Sequence, residues 1–189
     1  NCTIVNIENS DSITTKMCEK VVEVNADFGV ICDSNAEKMT IVDNKGHLIK
    51  DDLYTALLST VSLKMDLTDE IVVPITASNV IDTIAKHKNA KLTRTKTSTY
   101  EILTKTLEKT KGVSKFALSY DAFASVVKIL NFLTIENSDV SSIVEVIPEI
   151  YMDKKEIECP WMAKGKVIKE IIQSENSDVV ELYEGVKVN

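Results

Sequence analysis

The sequence predicts an α/β protein, and three observations carry that expectation. Short apolar runs alternate with segments of roughly a dozen residues in which apolar side chains recur every three or four positions. The composition, 44% hydrophobic and 27% charged, is that of a chain with a core rather than a disordered one. With 5 Gly and 3 Pro in 189 residues there is no low-complexity linker, so the units are packed rather than strung out. The length suits one domain or two small ones.

Taken in order, residues 2–7 (CTIVNI) read as a strand, and Asn9, Ser10, Asp11 and Ser12 supply turn and cap chemistry. Helical spacing over 14–24 places Met17, Val21 and Val24 on one face. Residues 27–33 (DFGVICD) are almost continuously apolar, the pattern of a strand buried on both faces, with Cys32 as a small core residue. A second strand follows at 39–43, and Asn44, Lys45 and Gly46 turn the chain. Asp51 and Asp52 favour the positive end of a helix over 53–63, whose inner face carries Leu53, Leu57, Leu58 and Val61.

A second unit of similar plan begins near Asp66. Residues 70–75 (EIVVPI) form a buried strand, and Ser78 caps a helix with Val80, Ile81 and Ile84 inward. Residues 91–95 are a third short strand, and Ser98 caps a helix containing Ile102, Leu103 and Leu107. Gly112 punctuates, and 115–118 (KFAL) reads as a strand. The helix over 120–133 turns Phe123, Val126, Val127, Leu130 and Leu133 inward, and a shorter helix over 140–147 ends before Pro148. Residues 149–159 look extended, 163–174 helical, and 179–183 with 185–188 form a hairpin. Helices therefore cover a largely parallel or mixed sheet.

Charge and motif content remove several functional classes. Twenty-two basic against 29 acidic residues leave a net charge of −7, so there is no positive footprint for nucleic acid. No apolar run approaches the ~20 residues of a membrane-spanning helix. Cys2, Cys18, Cys32 and Cys159 have neither zinc nor redox spacing, and four unpaired thiols suit a reducing compartment such as the cytoplasm. His47 and His87 have no neighbouring nucleophile, and dinucleotide, phosphate-loop and hydrolase signatures are absent. Trp161, the single Trp, reads as a buried anchor between units. Asn1 in place of Met suits a fragment whose start lies upstream.

The run from Ala26 to Asp43, ADFGVICDSNAEKMTIVD, followed by the Gly46 turn and a helix, resembles the centre of the phosphohexomutase family of phosphomannomutases and phosphoglucomutases. Residues 72–78 (VVPITAS) and 94–98 (RTKTS) resemble the start of that family's third domain and its sugar-contact turn. Residues 159–167 (CPWMAKGKV) and 184–188 (EGVKV) resemble one branch, in which a mutase-like region follows the nucleotidyltransferase of mannose-1-phosphate guanylyltransferase. The resemblance implies phosphoglucomutase-like three-layer α/β/α domains with mixed sheets, followed by the start of a smaller α+β domain. It assigns 1–65 to a trimmed second domain, 66–147 to a third and 148–189 to the opening of a fourth. The phosphoserine domain and the terminal phosphate loop then fall outside the chain.

In that family three carboxylates at alternate positions bind Mg²⁺ and the next Arg meets the sugar phosphate. The matching positions are Asp33, Asn35 and Glu37, with Lys38 in the Arg place. Alternate oxygen donors in a tight loop suit a hard cation. Asn35 loses a charge, Glu37 moves its carboxylate outward, Lys38 lacks a bidentate fork and Ser34 replaces a Gly where φ > 0 is needed. Together these changes predict a weakened or abandoned site, and the bland alternative is a polar turn.

Lys96 matches a family lysine near the sugar hydroxyls, where it would serve in proton transfer if Arg94 and Lys91 lower its pKa; otherwise it is a solvated surface lysine. Arg94, Thr95 and Ser98 complete the implied substrate-binding turn. The family's Gly-Glu-x-Ser-Gly-His loop should fall within 110–119, which has Gly112 and Ser114 but no Glu or His. Two hypotheses result. One is a catalytically degenerate module of a guanylyltransferase-type protein, its partner an upstream nucleotidyltransferase domain. The other is a fragment of an active Mg-dependent mutase acting on a sugar phosphate with an upstream phosphoserine domain. A truncated fourth domain with open strand edges also allows a homo-oligomer.

Overall fold

A computed structural model describes residues 13–108, 112–151, 153, 155–174, 180–182 and 186–188. The strand expected at 2–7 lies outside the described residues.

Helix α1 (Ile13–Glu23) precedes strands β1 (Phe28–Cys32), β2 (Met39–Asp43) and β3 (Leu48–Ile49). The three strands form an antiparallel meander, with Phe28 opposite Asp43, Cys32 opposite Met39 and Ile41 opposite Ile49. Helix α1 packs on this sheet at Gly29, where a Cβ would lie 2.5 Å from Val21 Cγ2 and 2.9 Å from Met17 Sδ. Val21 is buried as expected, but Val24 is exposed. Nor is β1 buried on both faces. Among the described residues it stands at the edge of the sheet, mostly half-buried, and Cys32 at its end is exposed rather than a core thiol. A local apolar run cannot distinguish this arrangement from a central strand.

The β2–β3 turn is built by Asp43. Its buried carboxylate accepts amide hydrogen bonds from Lys45 (2.9 Å) and His47 (2.7 Å), while Gly46 takes φ +83°. Asn44 Oδ1 accepts from the Ser141 amide at 3.1 Å, tying this turn to a later helix.

Helix α2 (Asp51–Lys64) buries every residue from Ala56 to Ser62, including three hydroxyls. It packs against α3 (Val80–His87), α5 (Gly112–Tyr120) and α7 (Val140–Glu145). Strands β4 (Glu70–Pro74) and β5 (Lys91–Thr95) are parallel, Glu70 opposite Lys91 through Pro74 opposite Thr95, joined by the α3 crossover. Ile71, Val72 and Val73 are buried, in keeping with a parallel strand covered by helices. Helix α4 (Thr99–Leu107) lies against β4 and β5.

The KFAL segment is helical, not a strand. It sits in α5, where Phe116 and Tyr120, four residues apart, stack with ring centroids 5.5 Å apart. Leu118 and Lys115, three apart, are both buried. Four residues are too few to set a period, and packing decided the matter.

Helix α6 (Ala122–Glu136) begins at Asp121, whose side chain accepts from the Ala124 amide. Its inner face is Ala122, Ser125, Ile129, Phe132 and Leu133, whereas Phe123, Val127 and Leu130 are exposed. The expected face is therefore rotated. A helix apolar on most of its circumference offers several candidate faces, and Ser125 selects one by donating to Leu118 O (2.5 Å) and Asp121 O (2.8 Å).

A single cluster of buried side chains runs from Met39 and Ile41 through Leu57, Ile71, Ile81 and Leu118 to Ile129, Phe132 and Val140. Helix α8 (Trp161–Ser174) has no buried residue. Trp161 is 81% exposed beneath Lys164, not the expected buried anchor. Strands β6 (Val180–Leu182) and β7 (Val186–Val188) form the expected antiparallel hairpin. The architecture is α/β with mixed strand pairing, and among the described residues no single helix is long and apolar enough to cross a membrane.

Candidate functional site

The 33–38 turn connects β1 to β2 and is organised by Asp33. Asp33 Oδ1 accepts from the amides of Glu37 (2.8 Å) and Lys38 (3.2 Å), and its own amide donates to Lys38 O at 3.0 Å. The left-handed residue is Ala36, φ +54°, not Ser34, so the strain expected from losing glycine at 34 does not arise there. Ala36 O accepts from the Ala122 amide at 2.8 Å, which anchors the turn on the first residue of α6. Asp33, Asn35, Glu37 and Lys38 are all exposed.

Asp33, Asn35 and Glu37 offer only oxygen donors, the chemistry a Mg²⁺ ion takes, with two negative charges among them. One oxygen of Asp33 is already engaged by its own turn. Among the described residues no group of three or more His, Cys, Asp or Glu side chains is gathered that could hold a metal.

Residues Arg94, Thr95, Lys96 and Ser98 stand at the end of β5. Arg94 is committed to the fold. Its side chain is 10% exposed, and its guanidinium donates to Ala77 O at 2.8 Å and pairs with Asp82 Oδ2 at 2.5 Å, bracing the turn from β4 into α3. Thr95 is buried and donates to Lys96 O. Lys96 is exposed, and Ser98 holds the N-cap position of α4 without a side-chain cap bond.

Beside the 33–38 turn lies a cavity of about 530 Å³, walled by β1, β2, α2, β4, α4 and α5. Asp33 and Lys38 line it, as does Pro74, but Lys96 and its neighbours do not. The structure thus brings the 33–38 turn to the cavity and leaves the 94–98 turn one strand away.

The cavity's inner wall holds groups that the sequence did not single out. Lys115 is buried, its Nζ 3.3 Å from Ser62 Oγ, and burial pushes its pKa down to about 8. Ser59 is buried and its hydroxyl has no hydrogen-bond partner among the described residues. Burial pushes Tyr54 up to about 12 and raises Tyr120, and burial followed by the Asp33 charge raises the Cys32 thiol. The available signal for Lys115 was a cation directly followed by an apolar run, KFAL.

No protein-family profile matches the chain. In sequence it is 27% identical over 146 residues to the phosphoglucomutase/phosphomannomutase of Thermococcus kodakarensis, covering 72% of this chain and 32% of that protein. It is 24% identical over 175 residues to the phosphoglucosamine mutase of Methanocaldococcus jannaschii, covering 86% of this chain and 39% of that protein. The chain thus spans about a third of the length of these curated relatives. In structure, a phosphoglucomutase/phosphomannomutase family protein from Burkholderia thailandensis superposes with a TM-score of 0.72 at 15% identity, over 94% of this chain and 41% of that one. Similar in sequence to curated phosphohexomutases and sharing their α/β fold, the chain resembles one stretch of the phosphoglucomutase/phosphomannomutase family.

Proposed function

We propose that the chain is a phosphohexomutase-like module whose phosphoryl-transfer site has decayed, serving a structural or regulatory role within a longer sugar-nucleotide protein of the mannose-1-phosphate guanylyltransferase type. The observation that carries this reading is α5. Where the resemblance implies a loop with Glu and His to grip sugar hydroxyls, a helix without either stands instead. Asn35 and Lys38 in the turn, and Arg94 spent on the β4–α3 brace, support it. Residues 1–65, 66–147 and 148–189 would be the second domain, the third and the opening of the fourth. The 159–167 segment supports an upstream nucleotidyltransferase as the covalent partner.

The second reading is a region of an active Mg-dependent mutase, favoured by the names of the curated relatives, which are mutases. Asp33, Asn35 and Glu37 would then hold Mg²⁺, whose charge would stabilise a phosphoryl group. Lys38 would meet the phosphate of a hexose phosphate, and Lys96 with Thr95 and Ser98 its sugar.

Calorimetric titration of Mg²⁺, with Asp33→Asn as control, and an assay of hexose 1- to 6-phosphate interconversion by the longest parent chain separate the two. The decayed reading expects no saturable heat up to millimolar Mg²⁺ and no turnover. Saturable binding that the substitution abolishes, with turnover, replaces it by the active one.

A further inference from the structure

The inner cavity combines two features that apolar packing alone does not explain. Lys115 carries an ammonium into the interior, and its one hydrogen-bond partner among the described residues is neutral: Nζ lies 3.3 Å from Ser62 Oγ, which itself donates to Ser59 O at 2.9 Å. Only burial perturbs it, and no carboxylate acts on it among the described residues. One helical turn from Ser62 on α2, Ser59 is 1% exposed and presents a hydroxyl with no partner among the described residues. A buried cation and a buried orphan hydroxyl are each costly unless something completes them.

The lining charges narrow what would complete them. At the exposed rim Asp33 and Lys38 offset each other, while Cys32, Tyr54 and Tyr120 are held toward their neutral forms. Lys115 is therefore the uncompensated charge among the described lining residues, and one buried positive charge matches one negative charge. A dianion would carry an unpaired charge inward. The remaining walls are apolar, including Leu58, Val72, Val73 and Ile102, and about 530 Å³ suits a small organic molecule.

We propose that this cavity is a binding site for a small monocarboxylic acid with an apolar body, its carboxylate on Lys115 Nζ and the Ser59 hydroxyl. Neither contact residue belongs to the 33–38 turn or the 94–98 turn, although Asp33 and Lys38 stand at the rim of the same cavity. A short Lys–Ser–backbone chain holds the ammonium in place, and the ligand would fill the hydrogen bonds it and Ser59 lack.

Benzoate is the probe, with benzyl alcohol as the neutral control and inorganic phosphate as the competing anion, titrated calorimetrically into the full chain. Benzoate is expected to bind saturably, benzyl alcohol not to bind, and phosphate to bind more weakly than benzoate. Lys115→Met should weaken benzoate roughly ten- to a hundredfold and Ser59→Ala roughly three- to tenfold. In the unsubstituted chain, benzoate should also slow acetylation of Lys115 by acetic anhydride, read by mass spectrometry, which decides the matter should Lys115→Met fail to fold. No saturable benzoate binding, binding unchanged by a folded Lys115→Met, no protection of Lys115, or tighter binding of phosphate would each overturn the assignment.

Discussion

Helices α2 and α8 are both 14 residues long, and their environments are opposite. Seven consecutive residues of α2 are buried, three of them hydroxyl-bearing, although its apolar and polar positions are poorly segregated. Helix α8 segregates them better, with Val167, Ile168 and Ile171 at helical spacing, yet none of its residues is buried. Helix α2 is enclosed by α3, α5 and α7, whereas α8 lies beside β7. A pattern of side chains indicates which face would meet a partner. Whether a partner surrounds the helix is a property of the assembled fold.

Truncating a buried side chain of the enclosed helix tests this difference most directly. Leu57 is 1% exposed, so Leu57→Ala is expected to cost about 2–5 kcal/mol in urea unfolding. A cost under about 1 kcal/mol would mean that α2 is not enclosed as described.

The next largest effect concerns the cation that α2 helps to bury. The folded-state pKa of Lys115 is lowered to about 8 from 10.5, so between these values the unfolded chain binds more protons and stability rises with pH. The gain is at most about 3 kcal/mol, and Lys115→Met should flatten it. Of the other titratable groups lining the cavity, Asp33 and Lys38 are exposed at its rim, and Cys32 and Tyr120 are raised. Cys32, raised from 9.0, and Tyr54, raised from 10.0 to about 12, oppose the gain above those unfolded values, so the rise is clearest between pH 8 and 9. Urea unfolding across that window checks the sign.

A third test moves to the sheet. At Gly29 an added methyl meets Val21 and Met17 of α1, and Gly29→Ala should destabilise by about 1–3 kcal/mol through overpacking. Smaller again is the cap of α6: Asp121→Ala removes the acceptor for the Ala124 amide and should cost about 1 kcal/mol by thermal unfolding. Smallest is the bare helix itself. Trp161→Ala should change stability by less than about 0.5 kcal/mol, and a larger loss would show that α8 has a partner in solution.

Much of the fold was legible because its signals are local. Strands at 39–43 and 91–95 match the expected bounds, and Ile71, Val72 and Val73 are buried as their apolar run implies. The 33–38 turn was legible for the same reason, since Asp33 binds amides four and five residues away. The KFAL helix, the rotated face of α6 and the exposure of Trp161 were not, because each depends on a surface supplied from elsewhere in the chain.

The cavity belongs to the second kind. Lys115 reaches a hydroxyl 53 residues earlier in sequence, and no spacing rule links the two. The order and type of most elements, the polar turn after β1 and the likeness to phosphohexomutases were readable from the residues, because these rest on backbone preference, side-chain period and short motifs. Which apolar faces are covered, that Arg94 braces a turn, and that Lys115 and Ser59 line one cavity follow from the folded arrangement alone. Burial and charge compensation depend on neighbours distant in the chain, and those neighbours exist only once it has folded.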